Sequence, residues 1–293
     1  MSFIDGLIYG AIISPIDAII VLKLFKRVDA SKTLESIITG ESLFNDAVAV
    51  VLFVLFTKIE SGETDLSALH IAEFFLREAL GGVALGLFLG YISHKLIWEI
   101  IKRSSDGRNA VALITLALVA GGYLLAQLLN VSGPLTCVVS GLFLARRRKL
   151  MPPAAQHIRE YVGNFWDIID DLLNAVLFVL IGLQVLVLDL HKSYMICEIV
   201  AIPLITLARY ISVEVPLVFL KLTRRIPSLS GFIMTWSGIR GGVSIVLTLT
   251  LARSPERALI VIMTYVVVVF SILVQGLTLE NAVKWNKARV GSG

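Results

Sequence analysis

Cysteine is nearly absent from this sequence. The two present, Cys137 and Cys197, lie far apart in apolar segments, which argues against a disulfide or a thiolate metal centre. Histidine is almost as rare. His70, His94, His157 and His191 all fall in loops or at the ends of apolar runs, where a solvated imidazole is the ordinary case. No phosphate-binding glycine loop is present, and no cofactor is indicated. Charge is scarce as well: 16% of the 293 residues are Asp, Glu, Lys or Arg, beside a 57% hydrophobic share. Soluble domains hold about 45–50% apolar residues. The net charge of +4 comes from loop bases and points to no nucleic-acid partner. Met1 leads straight into Phe3-Ile4-Asp5-Gly6 without a basic stretch, so no cleavable leader is expected.

What is abundant is apolar sequence in runs long enough to cross a ~30 Å hydrocarbon core. The expected fold class is therefore all-α, a polytopic membrane protein in the lipid bilayer. About nine spans are predicted, at residues 6–25, 34–56, 73–97, 109–129, 132–146, 166–188, 195–220, 229–252 and 257–280. The fifth is short and starts at Gly133-Pro134, which suggests a broken or tilted helix. Loop charge alternates. Bases follow the first span (Lys23, Lys26, Arg27, Lys32), the third (Lys95, Lys102, Arg103, Arg108) and the fifth (Arg146, Arg147, Arg148, Lys149, Arg159). They also follow the seventh (Lys221, Arg224, Arg225) and fill the tail (Lys284, Lys287, Arg289). The other side has the acidic Glu60, Glu63 and Asp65, with scattered bases such as Lys192 and Arg253. The positive-inside rule then places the N-terminus outside and the C-terminus in the cytoplasm.

Gly82, Gly86 and Gly90, spaced by four, offer a small-residue face for close helix packing. Asp167, Asp170 and Asp171 open the sixth span, where carboxylates suit a helix N-terminus. Both features read as structural.

The second span is different, because Glu41 and Asp46 sit near its middle. An acidic residue there costs about 2.5–3.5 kcal/mol, so two need a reason. Ser42 and Asp46, four apart, share one helix face; Glu41 and Asn45 share another, and Glu41 and Asp46, five apart, diverge by roughly 140°. The first face suits a small hard cation or a proton, and the second a basic partner. Two other spans are interrupted. Ser14-Pro15-Ile16-Asp17 breaks the first, and Trp236-Ser-Gly-Ile-Arg240-Gly-Gly-Val-Ser244 weakens the eighth. Such breaks are tolerated at mid-membrane only where they line a cavity or pack on protein, and paired broken helices mark inverted-repeat transporters. With Arg209 of the seventh span, the intramembrane charges are Asp17, Glu41, Asp46, Arg209 and Arg240. Three carboxylates face two arginines, which leaves one for a mobile cation or proton. A purely structural ion-pair network is the competing explanation.

These segments carry a resemblance. Ser14-Pro-Ile-Asp17, Gly40-Glu-Ser-Leu-Phe-Asn-Asp46, Phe165-Trp-Asp with Asn174, Ala208-Arg209 and Trp236 to Ser244 resemble the signature segments of NhaP-type sodium/proton antiporters. The resemblance implies an inverted-repeat fold with two broken helices. It implies that Asp46 binds cation or proton, that Ser42 and the backbone of Ile16 supply further oxygens to Na⁺, and that Asp17 assists. Glu41 would pair with Arg209, while Asn45 and Arg240 support the site, Arg240 opposite Asp17. Asn45 stands where electrogenic relatives have Asp, which implies electroneutral exchange of Na⁺ or Li⁺ for H⁺, driven by gradients. Ile16 stands where the family usually has Thr.

By the same resemblance, residues 1–293 form the exchanger's transmembrane domain. Residues 6–56 and 195–280 would be its ion-binding core, and 73–188 its linker and dimer or scaffold helices. A homodimer in the cell membrane is implied. The chain begins where the family's fifth helix stands, about four helices in, so the first inverted repeat is incomplete. A K⁺/H⁺ exchanger and a non-transporting truncated fragment are the alternatives. An intramembrane aspartyl protease would use Asp17 and Asp46, but the Tyr-Asp and Gly-x-Gly-Asp patterns of such enzymes surround neither.

Overall fold

A computed structural model describes residues 2–27, 32–63, 67–103, 107–148, 156–187, 195–223, 230–251 and 255–290. Asp65, Lys149, His191, Lys192, Arg224, Arg225 and Arg253 lie outside the described residues. The described chain is helical: α1 (Phe3–Ile13), α2 (Ala18–Arg27), α3 (Lys32–Glu60), α4 (Ala68–Arg103), α5 (Arg108–Leu128), α6 (Gly133–Arg148), α7 (Gln156–Val187), α8 (Met195–Thr223), α9 (Ser230–Trp236), α10 (Gly242–Thr250), α11 (Pro255–Phe270) and α12 (Leu277–Val290). A π-helical turn, Ser271–Gly276, joins α11 to α12.

Six described segments are long and apolar enough to cross a membrane: Phe3–Arg27, Lys32–Glu60, Leu69–Arg103, Arg108–Leu128, Val200–Phe219 and Arg257–Trp285. The three other expected spans fall on α6, on α7 and on the pair α9 and α10. Helix α6 has 16 residues, about 24 Å at 1.5 Å per residue, and is a single continuous helix despite Pro134. Helices α9 and α10 have 7 and 9 residues. Helix α7 has 32 residues, with Asp167, Asp170 and Asp171 in its first half and an apolar run after them. Because α7 starts at Gln156, those aspartates lie inside the helix and not at its N-terminus; nothing between Gln156 and Trp166 breaks it. The last helix likewise runs past residue 280 to Val290, its exposed Lys284 paired with Glu280 at 2.6 Å.

The chain divides into two compact units, residues 1–49 with 180–293, and residues 50–179. The first holds both interrupted helices. Its largest core joins Val21 and Phe25 of α2, Ile38 of α3, Leu217 of α8, Ile233 of α9 and Leu279 of α12, all nearly or fully inaccessible. A second cluster packs Ile13 of α1 against Ala201 of α8 and Val267 of α11. Helix α1 starts with a capping box: Ser2 Oγ accepts from the Asp5 amide at 3.2 Å, and Asp5 accepts from the Ser2 amide at 2.5 Å, which satisfies two orphan donors.

Within the second unit, α4 and α6 pack closely along the glycine face of α4. A Cβ at Gly82 would stand 2.8 Å from the Ser132 carbonyl oxygen, and one at Gly86 would stand 2.7 Å from that of Thr136. The glycine face of α4 therefore lets α6 approach backbone to backbone, as the four-residue spacing predicts. Thr136 Oγ1 donates across this seam to the Gly82 carbonyl at 3.2 Å.

Candidate functional site

Every site residue expected from the sequence lies in the first unit. Four residues outside regular secondary structure, Ser14 to Asp17, separate α1 from α2. Pro15 cannot donate, and Ser14 still bonds back to Gly10 at 3.1 Å, so α1 stops here. Asp17 then starts α2: its Oδ1 accepts from the Ile19 amide at 2.9 Å, the N-cap role that short acidic side chains favour. The second interruption, Ser237 to Gly241, separates α9 from α10.

The two interruptions meet. The Asp17 amide donates to the Ile239 carbonyl at 2.7 Å. Arg240 sends Nη1 to the Ser14 carbonyl at 2.5 Å and to the Pro15 carbonyl at 3.3 Å. A guanidinium thus covers the carbonyl end of α1, where the helix dipole leaves partial negative charge. Gly241 makes the crossing possible, because a Cβ there would stand 2.7 Å from Asp17 Cβ and 2.8 Å from its Oδ2. Gly238 does the same for Arg209, whose Nε would lie 2.8 Å from an added Cβ.

Helix α3 lies against this crossing and supplies the remaining groups. Ser42 Oγ donates to the Ile16 carbonyl at 2.8 Å, and Asp46 Oδ1 accepts from the Ile16 amide at 3.2 Å. The face shared by Ser42 and Asp46 therefore grips both backbone groups of one unwound residue. Asn45 pairs reciprocally with Ser14: Nδ2 donates to its carbonyl at 2.8 Å, and Oδ1 accepts from its hydroxyl at 2.9 Å. Glu41, one turn earlier, takes both terminal nitrogens of Arg209, the Nη2–Oε2 contact measuring 2.9 Å. Arg209 Nη2 also donates to the Met234 carbonyl at 3.1 Å. The face predicted to hold Glu41 and Asn45 thus serves two partners, a base for the carboxylate and a serine for the amide.

Burial separates these groups into two kinds. Arg209 and Arg240 are 8% and 7% exposed, and Ile16 is 3% exposed. Asp17, Glu41, Asn45 and Asp46 are only partly buried, so the carboxylates face accessible space while the arginines are sealed behind them. Among the described residues, no three of His, Cys, Asp and Glu come together as a metal site. The oxygens on offer are a carboxylate, a hydroxyl and a peptide carbonyl.

One support is absent from the sequence expectations. The Arg240 amide donates to Ser271 Oγ at 2.8 Å, and Ser271 donates to Gln275 Oε1 at 2.6 Å. Both side chains are buried and sit on the π-helical turn, a departure from α geometry common near functional sites. Trp236 Nε1 is held by Thr278 Oγ1 at 2.8 Å. Ser271 and Gln275, four apart in an otherwise apolar run, are the signal that was available.

The profile of the family described as "Sodium/hydrogen exchanger, transmembrane" matches residues 1–285. The chain belongs to that family. It is a family of multi-pass membrane transporters, not of enzymes. Among similar proteins, the Na(+)/H(+) antiporter NhaP of Pseudomonas aeruginosa is 39% identical over 290 residues, 97% of this chain and 66% of the relative. The Na(+)/H(+) antiporter NhaH of Halobacillus aidingensis is 33% identical over 94% of this chain and 67% of its own length. The low-affinity Na(+)/H(+) antiporter NhaS1 of Synechocystis is 31% identical over 97% of this chain and 54% of its own length. The chain thus spans about two thirds of the first two exchangers and about half of the third.

Proposed function

We propose that this chain carries the ion-exchange core of a secondary antiporter that swaps Na⁺ or Li⁺ for H⁺ at Asp46. The observation that carries the reading is the double hold of Ser42 and Asp46 on Ile16 beside the crossing of two broken helices. Asp46 is the one carboxylate that both lies on the gripping face of α3 and is partly open. It binds either a cation or a proton, and the two exclude each other. Ser42 Oγ and the Ile16 carbonyl each keep lone-pair capacity beyond their mutual bond and complete an oxygen shell for a hard monovalent ion. Asp17 assists, either through a held water or by its charge.

The other polar groups support this exchange. Glu41 and Arg209 form the ion pair that holds α3 to α8, and Arg240 with Asn45 fixes the end of α1. Asn45, a neutral amide, carries no proton through the cycle, which makes the exchange electroneutral. In this reading the chain crosses the membrane nine times, N-terminus outside and C-terminus in the cytoplasm. The two interruptions belong to inverted repeats, residues 6–56 and 195–280 move as the ion-binding core, and residues 73–188 form the linker and scaffold of a homodimer.

The test uses everted vesicles from cells without their own antiporters, expressing this chain or its Asp46→Asn variant. A ΔpH-sensitive dye is followed as Na⁺, Li⁺ or K⁺ is added. Collapse of the gradient by Na⁺ for the parent alone supports the reading, and a response to K⁺ alone reassigns the cation. If neither responds, the same pair is tested with the four upstream helices of a relative joined to it; silence there overturns the transport reading.

A further inference from the structure

A cavity lies wholly within the second unit, far in sequence from Asp46 and its partners. It encloses about 260 Å³ and is walled by Ile97, Val111, Leu118, Leu144 and Val162 of α4 to α7. Its polar atoms are mostly satisfied within the wall. Trp166 Nε1 donates to Thr115 Oγ1 at 3.0 Å, and Ser140 Oγ donates to the Cys137 carbonyl at 3.0 Å. A guest therefore meets apolar surface, with one ionised side chain on the lining, Arg159.

The helix ends around it are basic. The packing of Ile97, Val111, Ile158 and partly buried Leu144 brings together the end of α4, the start of α5, the end of α6 and the start of α7. At this end Lys102 lies over the Trp98 ring at 5.5 Å, Arg108 over Tyr161 at 5.5 Å and Arg147 over Phe143 at 5.4 Å. Among the described residues here, Glu99 pairs with Arg103 at 2.8 Å and Glu160 accepts from Gln156 Nε2 at 2.9 Å. Bases stacked on aromatics form the belt that membrane proteins place at headgroup level, and clustered bases there attract anionic lipid. The cavity is smaller than the roughly 300–1,000 Å³ of drug-sized sites, which favours a slender apolar guest.

We propose that this cavity takes one acyl chain of an anionic phospholipid, its phosphate held by Arg159. The proposal is independent of the ion site. Cys137 lines the cavity and reports its occupancy without any mutation. The purified chain, stripped of lipid in mild detergent, is labelled with N-ethylmaleimide, and modification of Cys137 is timed by peptide mass spectrometry. Dioleoyl phosphatidylglycerol is expected to slow labelling about fivefold, the protection given by four-fifths occupancy. Dioleoyl phosphatidylcholine at the same mole fraction should protect far less. Equal protection by the two lipids, or none by either, overturns the proposal.

Variants separate the chain from the headgroup. Gly141 lines the cavity, and a Cβ there meets nothing within 4 Å, so Gly141→Leu fills the space without a clash at Cβ. It should co-purify with less phosphatidylglycerol than the parent; unchanged retention counts against the site. Arg159→Gln should bind both lipids alike and Arg159→Lys should restore the preference. A preference that survives Arg159→Gln refutes the headgroup assignment. Should Gly141→Leu not fold, the Cys137 protection in the parent decides alone.

Discussion

The Asp17 amide and the Ile239 carbonyl are 2.7 Å apart, a backbone-to-backbone hydrogen bond between the two unwound stretches. Beside it, Arg240 covers the carbonyl end of α1, while the Asp17 carboxylate caps the start of α2 and lies against Gly241. Each helix break leaves backbone groups that a membrane interior cannot solvate. Here each interruption supplies partners for the other, and α3 supplies the rest.

Asp46→Asn should abolish exchange while leaving the fold nearly intact. The amide oxygen still accepts from Ile16 N–H, so the stability change should stay within about 1 kcal/mol of the parent. Na⁺-induced dye recovery in vesicles and a thermal melt in detergent measure the two effects. Exchange that survives the substitution would remove Asp46 from the mechanism.

Ser42→Ala should weaken apparent Na⁺ affinity more than it lowers the maximal rate. It deletes one oxygen of the proposed shell and the 2.8 Å bond to Ile16, together about 1.4 kcal/mol or tenfold. The half-saturating Na⁺ concentration in the vesicle assay reads this out, and an unchanged value would contradict the assignment.

Competition between Na⁺ and H⁺ fixes a sign for the pH dependence. Protons occupy Asp46 increasingly as pH falls, so the apparent half-saturating Na⁺ concentration should rise on acidification, approaching about tenfold per unit in the fully competitive range. The maximal rate at saturating Na⁺ should move less. A half-saturating concentration that is flat or falls on acidification excludes a shared site.

Arg209→Met should be strongly destabilising, by about 3 kcal/mol, because it leaves Glu41 without its bidentate partner. Glu41→Leu combined with Arg209→Met should recover much of that loss, since apolar replacement of both partners removes the stranded charge. Thermal melts of the singles and the double give the coupling. Additive losses would show that the two residues act separately.

Gly241→Ala should impair exchange, because its Cβ would meet Asp17 at 2.7 Å and force the crossing apart. Gly121→Ala, where a Cβ meets nothing within 4 Å, serves as the control and should behave like the parent. Parallel vesicle assays and expression levels distinguish a distorted site from a protein that fails to fold.

Residue spacing alone made much of this legible. Apolar runs announced membrane helices, Pro15 and the glycines around Arg240 announced the interruptions, and helical periodicity separated the Ser42–Asp46 face from the Glu41–Asn45 face. These are local properties, set by the chain's own geometry and the cost of charge in hydrocarbon. Other features depended on which segments meet. Sequence did not say that Arg240 would cover the Ser14 and Pro15 carbonyls, or that Asn45 would pair with Ser14; the Glu41–Arg209 pair was expected from the resemblance, and the structure has it. It also hid the π-helical turn that places Ser271 under Arg240, and the extension of α7 back to Gln156. A hydrogen bond to a distant carbonyl has no periodicity, so it leaves no trace in local pattern. Tertiary packing decides it, by choosing which partner each stranded backbone group receives.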